Sequence, residues 1–262
     1  MTSPGRKTIC FVTALAGLLT ASCNGIMSGI YDEPEPDDRQ PVAGQLYVDA
    51  SSWTDWYYID LKAVTEAVES DPDYNTNLAW QKYPIPVDRW EDAPADTKTG
   101  IYTYWYDVFG EGLGKYEFRS FYPTHPQPQP DNWTFAVHRD NVRTNGGAVA
   151  ATGLHNIDDL PDDPEALARL DFVEDTWSEV DIWTIQDKML LGLIGNQGIS
   201  FNKELSSWLK MDIPPIPPAF TLNDEVFVLR LSDGTMAALQ LHNYMNNSGV
   251  KCCLTINYKY PL

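Results

Sequence analysis

Three strand-like runs separated by two glycine turns close this 262-residue chain, and they constrain its fold more than any other feature. Val226–Leu231 runs into Ser232-Asp233-Gly234-Thr235. Met236–Asn243 follows, and Asn247-Ser248-Gly249 leads to Lys251–Tyr260. Glycine adopts the positive φ that a tight hairpin demands, and β-branched and aromatic residues on either side favour extended chain. The expected product is an antiparallel meander, whose apolar face must be buried by further layers. Earlier segments supply strands of the same kind: Gln45–Ala50, Trp56–Leu61, and Trp133–Arg139. Ile101–Phe109 and Lys115–Tyr122, around Gly110, Gly112 and Gly114, read as an aromatic hairpin. Residues 62–100 read as mixed and turn-rich, and His125–Pro130 as an extended connector. Two short helices are expected. One runs over Ala166–Leu170 behind Asp163-Pro164-Glu165, and the other over Asn202–Leu209, with Leu205, Trp208 and Leu209 on one face. The fold class is therefore mainly β, with minor helix.

The N-terminus addresses a different question, where the chain resides. Arg6 and Lys7 precede an apolar run, Ile9–Leu19, which is too short for a stable membrane span. Leu19-Thr20-Ala21-Ser22-Cys23 then resembles a bacterial lipobox, with threonine at a position where leucine is usual. A plain signal peptide with a chance cysteine and a buried apolar helix are the other readings. The lipobox implies a mature chain that begins at Cys23 and is tethered by acyl chains on that thiol. Residues 1–22 are then a lipoprotein signal peptide and 23–44 a flexible acidic tether containing Asp32-Glu33-Pro34-Glu35-Pro36-Asp37-Asp38. Residues 45–262 form the folded domain. An acidic stretch behind a lipidated cysteine resembles the pattern of surface-displayed Bacteroidetes lipoproteins, which implies the outer membrane and its outer face. The net charge of −19 excludes nucleic acid and anionic lipid as electrostatic partners, so any membrane contact comes through the anchor. With Cys10 removed and Cys23 modified, Cys252 and Cys253 remain. Adjacent strand residues point to opposite faces, so one buried and one half-exposed thiol are expected and no disulfide framework.

Three segments, taken in order, resemble the HmuY family of haem-binding lipoproteins. The first is Val48-Asp49-Ala50-Ser51 with Trp56-Tyr57-Tyr58. The second is Asp131–Arg139, a tryptophan strand ending in His138-Arg139, followed by Thr144-Asn145-Gly146-Gly147. The third joins Val226–Arg230 and Asp233-Gly234 to the ending Leu254–Pro261. The resemblance covers most of 45–262, with an insertion at about 65–125 that shorter members lack. It implies a hand-like antiparallel β-sheet fold that holds haem between two side chains from opposed loops, and a cargo passed to a TonB-dependent outer-membrane transporter. It also implies a binding protein rather than an enzyme. Family ligands come from the region matching residues 181–220, which contains no histidine. Its donor sulfurs are Met189, in the first-ligand loop, and Met211. Ile213 and Ile216 occupy the region of the second ligand, and isoleucine cannot ligate iron. Three outcomes stay open: a bis-methionine site, Met189 alone, or a cleft that takes another planar or apolar ligand. Read without the resemblance, each methionine is a filler of irregular core gaps.

The remaining candidates have plainer readings. His138 is a hydrogen-bonded structural histidine, with one of the His138-Arg139 pair pointing inward. His155 is a reserve ligand, His125 is solvated, and His242 lies at the sheet surface; no two histidines stand three or four apart. Asp158-Asp159 and Asp162-Asp163 suit a charged helix start better than a calcium loop. Gly146-Gly147 is a turn, not a phosphate cradle. A surface glycan-binding or adhesion lipoprotein is the second functional reading, with Tyr102, Tyr104, Trp105, Tyr106, Phe118, Phe121 and Tyr122 as stacking platforms or, more simply, a packed hairpin. A hydrolase is the third, since acids are abundant while no nucleophile elbow, zinc-protease motif or Cys–His pairing occurs.

Overall fold

The computed structural model describes residues 42–71, 73–88, 100–105, 118–184, 193–212 and 217–262. The signal segment, nearly all of the tether, and the segments holding Met189, Ile213 and Ile216 lie outside these residues, as does Cys23. In chain order the strands are β1 (Gln45–Asp49), β2 (Asp55–Ile59), β3 (Gln81–Pro84), β4 (Gly100–Trp105), β5 (Phe118–Phe121), β6 (Phe135–His138), β7 (Asn141–Thr144) and β8 (Ala148–Ala151). They continue as β9 (Val173–Glu174), β10 (Thr176–Trp183), β11 (Leu193–Phe201), β12 (Leu209–Asp212), β13 (Ala219–Leu222), β14 (Val226–Arg230), β15 (Met236–Met245) and β16 (Lys251–Lys259). Three α-helices accompany them among the described residues: α1 (Leu61–Ser70), α2 (Pro164–Ala168) and α3 (Lys203–Ser206).

The expected terminal meander is the centre of a six-stranded antiparallel sheet ordered β1-β16-β15-β14-β8-β9. Its first turn closes as the sequence requires, with Gly234 at φ 90° and the Leu231 N–H donating to Thr235 at 2.8 Å. The other sheets are β3-β2-β6-β7, β10-β11-β4-β5 and the ribbon β12-β13. The β4–β5 pairing matches the expected aromatic hairpin at the level of backbone; the side chains of those two strands lie outside the description, while Tyr122 beyond them is half-buried.

Strand alternation explains how these sheets stack. Tyr57 and Ile59 of β2, with Phe135 and Val137 of β6, join Phe227, Leu239, Leu254 and Trp208 in the main core. Trp56, Tyr58 and Ala136 face the other way, against Ile182, Ile199 and Phe201 of β10 and β11. The small β2–β6 sheet is thus apolar on both faces, which is why its strands read as continuous hydrophobic runs. Each fully buried large side chain there contributes about 1.5–3 kcal/mol of transfer free energy.

The structure adds one helix to the two expected. α1 occupies the start of the region read as turn-rich. Asp60 caps it by accepting the N–H groups of Lys62 and Ala63, and Leu61, Val64 and Val68 form its inward stripe. α2 lies where expected behind its Asp163 cap, whereas α3 is shorter than the expected Asn202–Leu209: Asn202 is its cap, it ends at Ser206, and Leu209 opens β12. Both cysteines are buried, which corrects the expectation of one half-exposed thiol. Cys252 adopts φ 64°, which breaks the strict alternation, and β1 pairs beside β16 with Asp49 opposite Cys253, its Oδ1 3.5 Å from Cys253 Sγ.

Candidate functional site

The β6–β7 connection is a two-residue turn, Arg139-Asp140, and it is driven into the protein instead of standing at the surface. Ahead of it, His138 is fully buried on the face it shares with Trp56, whose ring centroid lies 5.3 Å away. Its Nδ1 is 2.8 Å from the Asp55 carbonyl and its Nε2 is 2.8 Å from the Trp183 carbonyl, so the ring bridges β2 and the end of β10. Burial pushes its pKa below the ordinary histidine value, while the two carbonyls pull the other way. The expectation of a hydrogen-bonded structural histidine therefore holds. Arg139 does not follow strand alternation; its φ of 56° turns it inward too, leaving it 6% exposed. Its Nη1 donates to the Ser51 carbonyl at 2.6 Å, and its guanidinium lies 3.9 Å from the centroid of the Trp53 ring.

From this turn the structure opens into a cleft of about 480 Å³, lined among others by Asp140, Trp183, Phe201, Lys203, Leu209 and Met211. That volume falls in the range of small-molecule sites. Two described strands end at its rim. β10 ends at Trp183, just before the segment that carries Met189, and β12 carries Met211 and ends just before the segment with Ile213 and Ile216. Met211 is half-buried and pairs across the ribbon with Phe220. Its Sδ is 3.9 Å from Arg139 Nη2, and it shares the cleft wall with Asp140. Desolvation pushes the Asp140 carboxyl up to about 6.

These groups can do recognisable chemistry. A thioether is a soft donor suited to haem iron. Trp183, Phe201 and Leu209 give apolar patches for a flat macrocycle within a lining that also holds Asp140, Asp181 and Asp212, and the ammonium groups of Lys203 and Lys210 suit carboxylate substituents at the edge. Lys210 already pairs with Asp212 at 2.8 Å, and both are well exposed, so that pair is weak. On its described residues the cleft fits a haem with one protein donor, Met211. The first donor named from sequence, Met189, lies outside the described residues.

The other histidines stand away from the cleft. His155 is exposed and paired with Asp224 at 2.7 Å, His125 is exposed beside Asp88, and His242 is exposed on β15. No cluster of three or more histidine, cysteine or acidic side chains among the described residues could hold a bare metal ion. Asp163 serves as a helix cap and Asp158 pairs with Lys259 at 2.8 Å, consistent with the plain readings of the acidic pairs. The Thr-Asn-Gly-Gly segment is architectural. Thr144 Oγ1 donates to Asp175, Asn145 Nδ2 donates to the Trp133 carbonyl, and Gly146 turns at φ 68°.

A model of the HmuY protein family matches residues 52–258. The chain belongs to the HmuY family. Among solved structures, a candidate HmuY-like haem-binding protein of Bacteroides vulgatus is 29% identical, covering 83% of this chain and 91% of that chain at a TM-score of 0.53. A candidate lipoprotein of Bacteroides fragilis is 26% identical, covering 85% and 92% at 0.56. An apo HmuY analogue of Tannerella forsythia, 18% identical, covers 86% and 100% at 0.55, and at that identity the likeness is one of fold. None of the curated proteins matches the chain. The mainly β architecture expected from sequence is thus the HmuY architecture. Two features of the cleft escaped sequence reasoning: the inward Arg139-Asp140 turn, and the walls built by Trp183, Phe201 and Lys203. Only the proximity of Asn202–Leu209 to Met211 hinted at the second; nothing in the sequence marks a turn as buried.

Proposed function

We propose that this HmuY-family protein is a haem-binding lipoprotein, a carrier and not an enzyme, and that the cleft beside the Arg139-Asp140 turn is its haem site. One observation carries the reading: Met211, a soft-donor residue, lines a cleft beside Trp183 and Phe201, at the ends of the described strands β10 and β12. Met211, and Met189 on the segment following Trp183, would hold the haem, whose iron would supply a soft acceptor for their thioethers. Trp183 and Phe201 would offer apolar contact to the macrocycle, and Lys203 an ammonium for its carboxylates. A lipid on Cys23 tethers the chain to the outer membrane, at the cell surface, where haem is handed to a TonB-dependent transporter.

Titration with hemin under dithionite tests the site. The full-length protein in detergent should give a sharpened, red-shifted Soret band, weakened in Met211→Leu and in Met189→Leu. A spectrum identical to free reduced hemin at all ratios overturns the haem reading and favours a glycan-binding surface lipoprotein. Retention on polysaccharide gels would then support that second reading. Cys23→Ala should move the protein from the membrane fraction to the soluble one; continued membrane association would remove the anchor from the proposal.

A further inference from the structure

We propose that Arg139 is a positioning residue for the Met211 thioether, and that the Arg139-Asp140 turn holds Met211 by its sulfur. The contact is direct: Arg139 Nη2 reaches the Met211 Sδ at 3.9 Å. Methionine has three freely rotating side-chain bonds, so a half-buried one at a cleft wall samples many orientations unless something selects among them. The guanidinium is a rigid selector. Nη1 is fixed on the Ser51 carbonyl at 2.6 Å and the plane lies over Trp53 at 3.9 Å.

The backbone is committed to this arrangement. A non-glycine residue at φ 56° is uncommon, and here it is what aims a long cationic side chain inward. Burying that charge carries a desolvation cost, offset in part by the neighbouring Asp140 carboxylate and the Trp53 ring. Arg139 Nε is buried with no hydrogen-bond partner, so the fork is not placed to maximise its own bonds; it is placed to reach Ser51 and Met211. A thioether sulfur has two lone pairs. An N–H directed at one leaves the other for a ligand, so the sulfur enters the cleft already oriented as a donor.

The orientation of the sulfur stands on geometry alone; its use in ligation rests on the haem reading, and the two fail separately. Methyl-labelled methionine NMR of the full-length, ligand-free protein, with the Met211 signal assigned by Met211→Leu, reads the first. In Arg139→Gln the Met211 methyl resonance should move to the averaged position of a mobile methionine while the other methionine signals stay. Arg139→Lys should not restore it, because an ammonium lacks the fork that spans both partners. An unmoved Met211 resonance in a folded Arg139→Gln protein overturns the proposal. Should that variant not fold, the reverse measurement applies. The Arg139 side-chain N–H signals should shift in Met211→Leu, and their constancy is equally fatal. With hemin, Arg139→Gln should bind up to about tenfold more weakly than wild type, the cost of ordering one flexible side chain. An unchanged wild-type hemin spectrum discards the haem reading and leaves the NMR arm to decide the positioning role.

Discussion

At the scale of single residues, the chain repeatedly uses one side chain to join two layers. His138 is the clearest case, since a single imidazole spans the carbonyls of Asp55 and Trp183. A neutral ring donates to only one of them, and a charged ring to both. Its folded pKa is depressed, so this group's contribution to stability is present above the unfolded histidine value of about 6.5 and is lost as pH falls through the folded value. Asp140 acts with the opposite sign. Its folded pKa is raised to about 6, so its contribution is complete below the unfolded carboxyl range and is lost as pH rises through about 6. Urea midpoints for wild type and His138→Gln at pH 7.5 and 5 separate the two. Wild type should lose more stability on acidification than the variant does, and equal losses would assign the pH response elsewhere. Gly147 illustrates steric limits instead of titration. A Cβ there would sit 2.7 Å from the Arg230 carbonyl oxygen, so Gly147→Ala should destabilise by about 1–3 kcal/mol in denaturant melts.

At the scale of elements, local signals decide what the sequence alone makes legible. The Asp233-Gly234 turn and its flanking strand-formers announced β14–β15 because hairpin geometry is written into four residues. Helix α1 was equally encoded, in the Asp60 cap and the Leu61, Val64, Val68 spacing, but its short amphipathic stripe was lost among turn-formers. Asp60→Ala should cost about 1 kcal/mol in thermal melts, as the loss of a capping acceptor does elsewhere. β7, β8 and β10–β13 escaped notice for a different reason. β8 pairs with the distant β14, as in Ala151 opposite Phe227, and the hairpins β6–β7, β10–β11 and β12–β13 turn through segments without the Asn-Gly or Asp-Gly pair that marks a tight turn. The site divides the same way. Met211 was legible as a donor by residue type, while Trp183 and the inward Arg139 became site residues only through tertiary packing.

At the scale of the whole molecule, the stability of the cleft depends on the core beneath it. Phe227 and Trp208 are wholly buried in the cluster that unites the six-stranded sheet with β2, β6 and α3. Phe227→Ala should cost about 3–5 kcal/mol, enough to unfold much of a marginal protein at growth temperature. Calorimetry of the variant checks this, and a loss under 1 kcal/mol would mean that the sheets are held by something else. The paired thiols at Cys252 and Cys253 provide a native gauge of the same event. Both lie inside the six-stranded sheet, and burial drives the Cys252 thiol up to about 12, so neither sulfur meets an alkylating reagent while the sheet is closed. Each molecule therefore records its own opening: iodoacetamide should add to both of these thiols or to neither, and the fraction modified at both counts the chains whose central strands have come apart.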